Sequence, residues 1–487
     1  MSAVSGLEIQ EPSIFQRGAP GRKGTDVPDP GDATPSIPAG LLRKSAPGLP
    51  SVSEQEVVRH FTRLSRRNYG IDVGFYPLGS CTMKHNPRIN EDVAGLKGFK
   101  AIHPYSPPAR TQGALAVMWE LAEALAEISG MTGVSLAPAA GAHGELTGML
   151  VIRKALEARG DPRKKVLIPD TAHGTNPASC VLCNYKAVEV KSSQEGILDP
   201  ASVAQAMDED VAAIMITNPN TLGLFEVDLP KVADIVHDKG GLVYGDGANL
   251  NAIMGRVRPA CLGLDVIQFN LHKTFSTPHG GGGPGAGPVG VVKDLDPFLP
   301  VPRVVRGPDG SYALSEDFPS SIGRMRTFAG QFGVMVRALT YIRALGAAGL
   351  KDVSDMAVLN ANYLRARLCD HFHLPFSQPC MHEVVFSDQK QAGNDVHTMD
   401  MAKALMDRGF HPPTVYFPLI VSGAIMIEPT ETEDRATLDE FVEAMVAIAS
   451  QAESDPESLH ETPTLTSVSR PDEVLAARKP VLTWPGT

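Results

Sequence analysis

The chain has 487 residues, enough for about three domains or for one or two larger α/β units. Apolar residues make up 43% and charged residues 20% of it, which is ordinary for a soluble globular protein. The net charge of −11 argues against binding to nucleic acid or to an anionic membrane surface, because both need clustered cations.

The cysteines and the first residues indicate a cytoplasmic protein. Six scattered cysteines fit a reducing compartment rather than a disulfide framework. Cys180 and Cys183 form a lone CxxC without a second pair, so we expect buried structural thiols rather than a redox or metal site. The start, MSAVSGLEIQEPSIF, has no basic region or long apolar run, and no stretch reaches the ~18 apolar residues of a membrane span, so neither a targeting peptide nor a membrane is expected.

Proline and glycine are frequent in residues 15–55, which predicts an extended arm rather than a domain. A disordered tail and an arm that wraps a partner subunit both fit this composition. A first helix is predicted from near Ser53, because SVSEQEVVRHFTRLSRR offers a serine cap, acidic residues in the first turn and basic residues at the end.

From about residue 111 the pattern is that of an α/β domain. TQGALAVMWELAEALAEISG and HGELTGMLVIRKALEARG are helix-periodic and end at Gly130 and Gly160. Short apolar runs then alternate with helical segments: KVLIPD, AVEVKS, VAAIMITNP, GLVYGDG and VIQFNLHK. Continuous apolar strands separated by helices predict a mainly parallel sheet that is covered on both faces.

The region after about residue 335 is predicted to be a smaller α+β domain. Its helical content rises over VMVRALTYIRALGAAGLKDVSDMAVLNANYLRARL; HEVVFS then follows as a strand, and TMDMAKALMDRG and RATLDEFVEAMVAIASQAES as helices. The predicted division is therefore an N-terminal arm with helices over 1–110, a large α/β domain over 111–335 and a small α+β domain with a tail over 336–487.

Unusual polar residues lie at the carboxyl ends of the predicted strands, where open parallel sheets bind ligands. These residues are His173, Asn218, Asn220, Asp246, His272 and Lys273. In LAPAAGAHGELTG small residues precede a helix, so the amides of Ala140, Gly141 and Ala142 can face an anion at its N-terminus. Seven glycines within residues 280–290 leave room for a close approach to the backbone.

A lysine, an aspartate and an anion site at one sheet edge predict a pyridoxal phosphate site. Lys273 can hold the aldehyde as a Schiff base, and Asp246 can keep the pyridine nitrogen protonated, because a nearby anion favours the charged form. The protonated ring then accepts electrons from a substrate carbanion. The small side chain of Ala248 leaves room for a flat ring, and His173 can stack on the opposite face.

Each feature alone has a more ordinary explanation. An aspartate at a strand end is more often a helix cap or a solvated loop residue, and a His-Lys pair is mostly surface charge. The glycine tract lacks the GK[ST] ending of a phosphate loop, so nucleotide binding is poorly supported. Only the combination of all features, in this order on consecutive strands, favours the cofactor.

The order GAHGE, DTAHGTNPAS, TNPNTLGLFE, GDGAN and NLHKTF resembles the fold-type-I pyridoxal phosphate enzymes, which share the aspartate aminotransferase-like fold. More narrowly, the chain resembles the glycine dehydrogenase (decarboxylating) family, the P-proteins of the glycine cleavage system, in the bacterial form split into two subunits, and there subunit 2. PLGSCTMKHNP and DTAHGTNPAS are the most specific stretches, and SIGRMRTFAGQFGVMVRALTYIRALG and YFPLIVSGAIMIEPTETED extend the resemblance nearly end to end.

The resemblance implies roles for individual residues. Lys273 would be the Schiff-base lysine, Asp246 the partner of the ring nitrogen and His173 the residue stacked on the ring. The phosphate would lie at His272 and at the amides near Gly141 and Ala142. Asn218 or Asn220 would reach the ring hydroxyl, and the choice between them stays open. The segment GSCTMKHNP would either shape the substrate end or serve as a structural loop between subunits, through Ser80, Cys81, Thr82 and Lys84.

The resemblance also implies the reaction and the partners. Such an enzyme decarboxylates glycine, releases CO2 and transfers the aminomethyl group to the lipoyl arm of H-protein, as an oxidoreductase of glycine catabolism. A subunit 1 that lacks the lysine is expected, in an α2β2 heterotetramer. Two alternatives are another fold-type-I activity, such as a cysteine desulfurase with Cys81 as nucleophile, and a regulatory subunit without catalysis. Retention of Lys273 with Asp246 argues against the second.

Overall fold

The computed structural model describes residues 11–28, 37–45, 47–103, 105–280, 285–466 and 468–483. The chain divides into two structural units, residues 1–74 with 471–487, and residues 75–470. The boundaries predicted at residues 110 and 335 both fall inside the second unit, and the three-part division remains a prediction.

Two sheets and one hairpin contain the strands of the described residues. The strands are β1 Gly133–Ser135, β2 Lys165–Pro169, β3 Lys186–Val190, β4 Val211–Thr217, β5 Leu242–Gly247, β6 Val266–Phe269, β7 Val289–Val291, β8 Arg303–Arg306, β9 Tyr312–Ser315, β10 Val384–Ser387, β11 Thr414–Val415 and β12 Ala424–Ile427. Strands β8 and β9 form the hairpin, and β10, β12 and β11 form an antiparallel three-stranded sheet in that order.

The α-helices of the described residues surround these strands. They are α1 Ile14–Arg17, α2 Glu54–Ser65, α3 Arg88–Ala94, α4 Lys97–Lys100, α5 Pro108–Ser129, α6 Gly141–Ala158, α7 Thr175–Leu182, α8 Pro200–Ala206, α9 Leu229–Asp238, α10 Phe332–Leu368, α11 Thr398–Asp407, α12 Arg435–Ser454, α13 Pro456–His460 and α14 Glu473–Arg478. Backbone angles of φ 62° and ψ −177° at Gly346 break α10 into two helical parts.

The large sheet has seven strands in the order β1-β7-β6-β5-β4-β2-β3. Strands β6, β5, β4, β2 and β3 are parallel to their neighbours, as predicted from their continuous apolar runs. Strand β7 is antiparallel to both β1 and β6. The prediction of a mainly parallel sheet is therefore confirmed, and the antiparallel strand that follows the glycine tract is an addition to it.

Both faces of the large sheet are covered, because successive side chains of a strand point to opposite sides. Leu167 and Val243 pack into one apolar cluster. Val166 and Tyr244 pack into another, on the opposite face. Strand β4 is buried at every position, which is why its sequence is apolar without alternation.

The two predicted helices that flank the sheet end at glycines, as expected. Gly130 follows α5 with φ 77°, and Gly160 follows α6 with φ 76°. The amide of Gly130 donates to the Ala126 carbonyl at 2.7 Å, which closes the last turn of α5. These left-handed conformations favour glycine because it has no Cβ to clash with the backbone.

The three-stranded sheet has its own apolar core, in which Phe75, Phe386 and Phe441 are buried. The strand and the two helices predicted after residue 380 are confirmed as β10, α11 and α12. An antiparallel bridge pairs Leu78 with Ile427 of β12, so the segment that begins at residue 77 lies along this sheet.

The first unit contains α1, α2 and α14. The helix predicted from Ser53 is confirmed, because the Ser53 hydroxyl accepts from the Glu56 amide at 3.3 Å and the Glu56 carboxylate accepts from the Ser53 amide at 2.9 Å. The fully buried Glu11 carboxylate binds His60 Nδ1 at 2.7 Å and an arginine of α2. Residues 29–36 of the predicted arm lie outside the described residues, and whether the arm wraps a partner stays a prediction.

No described helix combines the length with the apolar composition that crossing a bilayer requires.

Candidate active site

The register of the parallel strands brings polar residues from distant parts of the chain to one edge of the large sheet. Asp246 of β5 lies opposite Thr217 of β4 on one side and opposite Gln268 of β6 on the other. Lys273 follows β6 by four residues and His173 follows β2 by four. The carboxyl ends of parallel strands thus gather these side chains, as the sequence predicted.

Asp246 is held by donors that fix both of its carboxylate oxygens. Its side chain is buried, and Oδ1 accepts from Gln268 Nε2 at 2.6 Å and from the Ala248 amide at 2.9 Å. With its amide oriented so that Nδ2 faces the carboxylates, Asn176 donates to Asp246 Oδ2 at 3.2 Å and to Glu145 Oε2 at 2.9 Å. Hydrogen bonds of this kind stabilise a negative charge at a fixed position.

Lys273 is half-buried, and its ammonium contacts a backbone carbonyl that lies 193 positions earlier in the chain. Lys273 Nζ donates to the Ser80 carbonyl at 2.9 Å. The GSCTMKHNP segment therefore does reach the predicted lysine, through its backbone at Ser80.

His173 and Glu145 each respond to the charges of both Asp246 and Lys273. Burial lowers the pKa of His173, the Asp246 charge opposes that shift and the Lys273 charge adds to it. Burial, followed by repulsion from Asp246, raises the pKa of Glu145 to about 7, and the Lys273 charge opposes the rise. The charges of Lys273 and Asp246 therefore act on the same two side chains, those of His173 and Glu145.

A short chain of hydrogen bonds orients the His173 ring. His173 Nδ1 lies 3.0 Å from Thr175 Oγ1, which donates to Glu145 Oε1 at 2.8 Å. The ring also meets Phe417 edge to face, with centroids 5.6 Å apart. Sequence reasoning gave Glu145 no role, although its place on the buried face of α6 within the GAHGE motif was a usable signal.

The predicted anion site lies at the start of α6. Ala140 precedes the helix, and no side chain caps it there, while the Ala139 amide donates to His143 Nδ1 at 3.1 Å. A Cβ on Gly141 would lie 2.7 Å from Asn270 Nδ2, so only glycine allows the Asn270 side chain to pack this closely against the start of α6. The open amides at Gly141 and Ala142 suit an anion, because helix N-termini carry partial positive charge.

His272 is largely buried, and its Nδ1 has no hydrogen-bond partner among the described residues. Burial, with the charges of His279 and Lys273, lowers the pKa of His272 to about 3, so the ring is neutral at physiological pH. A Cβ on Gly285 would lie 2.4 Å from this Nδ1, and one on Gly287 would lie 2.0 Å from the Ala140 carbonyl oxygen.

The described part of the glycine tract does allow a close approach to the backbone, as predicted, while an approach of the cofactor to it stays a prediction. Residues 281–284 lie outside the described residues. Gly285 and Gly287 allow close packing against protein atoms, the His272 ring and the backbone before α6. This packing joins the loop after Lys273 to the anion site.

The two candidate asparagines differ in how their side chains are used. Asn220 Oδ1 accepts from the Leu222 and Leu224 amides, and its Nδ2 donates to Gly196 and Glu226 oxygens. Asn218 Oδ1 accepts from the Glu226 amide, and its buried Nδ2 has no partner among the described residues.

Lys84 of the GSCTMKHNP segment is a buried lysine that links several parts of the chain. Its ammonium donates to Asn251 Oδ1 at 2.9 Å, to the Thr274 carbonyl at 2.9 Å and to Glu431 Oε1 at 2.7 Å. These bonds tie residues 80–84 to the residue that follows Lys273 in sequence. Cys81 is partly exposed, and burial raises the pKa of its thiol although the Lys273 charge opposes the rise.

Two buried acids of the three-stranded sheet were not found from the sequence. Glu383 precedes β10 and Glu428 follows β12, and the Lys273 charge acts on both carboxyls. Glu383 Oε2 accepts from the Ser80 amide at 2.7 Å, and Glu428 Oε2 accepts from the Thr82 amide at 2.9 Å. Nothing in the local sequence around either glutamate indicates these partners.

Comparison with known proteins decides the family of this chain. Residues 32–307 match the family described as "Glycine cleavage system P-protein", and residues 353–464 match "Glycine dehydrogenase, C-terminal domain". The chain belongs to the glycine cleavage system P-protein family. It is 54% identical over 484 residues to the probable glycine dehydrogenase (decarboxylating) subunit 2 of Desulforamulus reducens, covering 98% of this chain and 99% of that protein. The subunit 2 relative from Listeria innocua is 53% identical over 485 residues, with the same coverage.

Solved structures share the fold of this P-protein family member. A crystal structure of glycine decarboxylase (P-protein) of the glycine cleavage system, in inhibitor-bound form, matches with a TM-score of 0.72 at 22% identity, covering 85% of this chain and 93% of that one. A C-DES mutant with glycine covalently linked to the PLP cofactor matches with a TM-score of 0.60 at 15% identity, covering 77% and 96%. The predicted fold-type-I architecture and the predicted P-protein family are both confirmed.

The cysteines of this P-protein family member are all free. Cys180 and Cys183 are buried, and burial raises their pKa values to about 12 and about 11. Both therefore remain thiols at neutral pH, which suits buried structural residues.

Proposed function

We propose that this chain is the lysine-bearing subunit of a glycine dehydrogenase (decarboxylating), which removes CO2 from glycine with pyridoxal phosphate and passes the aminomethyl group to the lipoyl arm of H-protein. The observation that carries the proposal is the strand register, which places Asp246 of β5 beside β6, while Lys273 follows β6 and His173 follows β2, each by four residues. One flat aromatic aldehyde can bridge Lys273 and Asp246, with the imidazole on its face.

The residues at the site fit that cofactor. Asn218 Nδ2 and His272 Nδ1 are buried polar atoms without partners among the described residues, and a bound group with oxygen atoms would satisfy at least the asparagine donor. The start of α6 offers uncapped amides for a phosphate. Gly141 lets the Asn270 side chain pack closely against this helix start.

Each residue then has a place toward the cofactor. Lys273 would hold the aldehyde, Asp246 the ring nitrogen, and His173 the face of the ring. The amides of Gly141 and Ala142 would hold the phosphate, assisted by His272. Ala248 contributes its amide to Asp246, and its methyl side chain leaves room beside the ring.

Asn218 rather than Asn220 is the better candidate for the ring hydroxyl. Both polar atoms of the Asn220 side chain are occupied within its own loop. Asn218 retains a buried donor, and an unpaired buried donor is costly unless a ligand uses it.

The protein's part in the reaction is orientation and charge. Bound pyridoxal phosphate supplies an electron sink for the pair left on Cα when the glycine carboxylate departs. Gln268 and the Ala248 amide hold Asp246 in place, so that its charge stays fixed where the ring nitrogen needs it. The neutral His173 ring is held by Thr175 and can stack without adding a positive charge.

The partners follow from the family. The relatives are named subunit 2 of glycine dehydrogenase, which supports a subunit 1 as partner. We propose an α2β2 heterotetramer with that subunit, acting on glycine and on lipoylated H-protein in the cytoplasm.

Co-expression with subunit 1 tests the proposal. The complex should bind pyridoxal phosphate with a visible absorbance that changes on addition of glycine, and it should exchange labelled bicarbonate into the glycine carboxyl when lipoylated H-protein is present. A complex that binds no pyridoxal phosphate, or whose spectrum ignores glycine, would contradict it.

Cysteine desulfuration is the second candidate, because Cys81 lies within reach of the Lys273 charge. Burial raises the pKa of its thiol, whereas a nucleophilic cysteine needs a lowered one. Sulfide release from cysteine that disappears in Cys81→Ala would support this candidate; no release from the unaltered complex would remove it.

A further inference from the structure

Two buried glutamates hold the segment that contacts Lys273. Glu383 and Glu428 are both 0% exposed, and the roles proposed above do not use them. Each gives one carboxylate oxygen to a backbone amide, Glu383 to Ser80 at 2.7 Å and Glu428 to Thr82 at 2.9 Å. The two amides are alternate ones in the chain, so the pair fixes the backbone on either side of Cys81.

The backbone between these contacts needs such support. Ser80 has φ 63° and Thr82 has φ 46°, a left-handed conformation that residues other than glycine adopt only at an energetic cost. Such conformations persist where their surroundings determine them. Here the amides are fixed by two carboxyls, and the Gly79 carbonyl by Thr414 Oγ1 at 2.8 Å.

We propose that Glu383 and Glu428 are positioning residues for Lys273: they orient the Ser80 peptide so that its carbonyl holds the Lys273 ammonium whenever that amine is not bonded to the cofactor. The inference rests on the proposed function, in which Lys273 would hold the cofactor aldehyde and would be free of it during part of each turnover. The 2.9 Å bond from Lys273 Nζ to the Ser80 carbonyl shows where that carbonyl can hold the free amine.

The ionisation of the pair suits this role. Burial raises the pKa of Glu383 well above its ordinary value, and the Glu428 charge adds to the rise. Burial likewise raises the pKa of Glu428 to about 7. Burial thus disfavours the charged form of both carboxyls, and a glutamine at either position keeps an amide acceptor in a neutral side chain.

A cation site is the competing use of these side chains. His382, Glu383 and Glu428 offer ligand atoms within 4.8 Å of one another. A metal-bound histidine normally donates its second ring nitrogen to an acceptor, and neither His382 nitrogen has a hydrogen-bond partner among the described residues. Each carboxyl gives its Oε2 to an amide, while its Oε1 has no hydrogen-bond partner among the described residues, and the bonds to the two amides favour the positioning role.

The test compares methionine with glutamine at the same position. Glu428→Met keeps the volume and removes the acceptor, whereas Glu428→Gln retains an acceptor. Glu433→Met is the matched control, because burial also raises its carboxyl pKa to about 7 but the Lys273 charge does not act on it. The same three changes are made in the full chain co-expressed with subunit 1.

Two measurements use the complex freed of pyridoxal phosphate. Hydrogen exchange at Ser80–Thr82 should be at least about tenfold faster in Glu428→Met, because the protected amide has lost its acceptor. Acylation of Lys273, followed by mass spectrometry, should also be faster. With the cofactor restored, kcat should fall by about 10–100-fold at a nearly unchanged KM for glycine, since a displaced catalytic group costs about that much. Glu428→Gln and Glu433→Met should match the wild type in all three measurements.

The inference is overturned if exchange rises in Glu428→Met while Lys273 acylation and kcat stay unchanged, or if Glu428→Gln is as impaired as Glu428→Met. A stoichiometric divalent metal in the purified complex would overturn it too. If Glu428→Met does not fold, Glu383→Met applies the same test at the Ser80 amide. Failure of the wild type to bind pyridoxal phosphate would remove the proposed function, yet exchange and acylation would still report on the positioning pair.

Discussion

The seven-stranded and the three-stranded sheets contribute to the site in different ways. The large sheet supplies the side chains proposed to touch the cofactor, since Asp246, His173 and Lys273 all lie at a strand's carboxyl end or within four residues of it. The small sheet supplies Glu383 and Glu428, which act through the backbone of another segment. We thus propose that the large sheet carries the residues that touch the cofactor. The small sheet would fix the Ser80 peptide, whose carbonyl accepts from Lys273.

This difference explains why the site residues of the large sheet could be predicted from the sequence and the two glutamates of the small sheet could not. Parallel topology gathers successive strand ends, so residues in chain order become neighbours in space. The contacts of the small sheet join residues 303 and 346 positions apart, from Ser80 to Glu383 and from Thr82 to Glu428. No periodic pattern marks pairs of that kind.

The largest effect is expected at the large sheet's lysine. Lys273→Ala should abolish the visible absorbance of the complex with pyridoxal phosphate, and glycine-dependent CO2 exchange should fall by at least about 10³-fold, because no other amine replaces the nucleophile. Circular dichroism should show an intact fold. The exposed Lys239 in the loop after α9 serves as the control, and Lys239→Ala should behave like the wild type. Full activity in Lys273→Ala would remove the lysine from the mechanism and with it the contrast between the sheets.

Asp246 should give the next largest effect. Asp246→Asn keeps the size of the side chain but removes the charge proposed to hold the ring nitrogen protonated, so the exchange rate should fall by about 10²–10³-fold with weaker cofactor retention. Equilibrium dialysis of pyridoxal phosphate and the exchange assay measure the two effects. Asp265→Asn is the matched control. Asp265 Oδ2 also accepts from a backbone amide, that of Val243 at 2.7 Å, but at the opposite end of β5. A near-normal rate in Asp246→Asn would mean that the ring nitrogen is not paired there.

Much of the large sheet could be predicted because its signals are local. Strand β4 is a continuous apolar run, and α5 and α6 end at glycines that the sequence displays. Strand β7 and the β8–β9 hairpin were not predicted, since their strands are only three or four residues long and follow the glycine tract. Short strands take their pairing from tertiary contacts rather than from a pattern of their own.

The same contrast between local signals and tertiary contacts holds for the site residues. His173, Asp246 and Lys273 were predicted from strand ends, and the structure places them there, while their roles toward the cofactor stay predictions. Glu145 was missed although it lies within the GAHGE motif, and only the structure shows that it accepts from Thr175. The choice between Asn218 and Asn220 needed the hydrogen bonds of the loop, which the sequence does not contain.

His173 should show a smaller effect than the lysine or the aspartate. His173→Phe keeps an aromatic face for stacking and loses only the contact from Nδ1 to Thr175, so pyridoxal phosphate should still bind while the exchange rate falls about tenfold. His173→Ala should lose cofactor affinity as well. Equal cofactor loss in both variants would show that the ring does not stack, and it would leave the hydrogen bond as its contribution.

The smallest effect on activity is expected from Glu226, a buried acid in the loop between β4 and α9. Glu226 accepts from the Leu198 amide at 2.8 Å, and burial raises its pKa from 4.5 to about 7. Since the folded-state pKa exceeds the unfolded one, the stabilising contribution is complete below about pH 4.5 and is lost as the pH rises through about 7. The free energy of unfolding of Glu226→Gln, relative to wild type, should therefore rise by roughly 1–3 kcal/mol between pH 5 and pH 8. Denaturant unfolding at both pH values measures this change, and a difference that does not vary with pH would contradict it. Exchange activity at pH 7 should stay close to that of the wild type, unlike the result expected for Glu428→Met, because the Glu226 carboxylate bonds to Leu198 and Asn220 and not to a residue proposed to touch the cofactor.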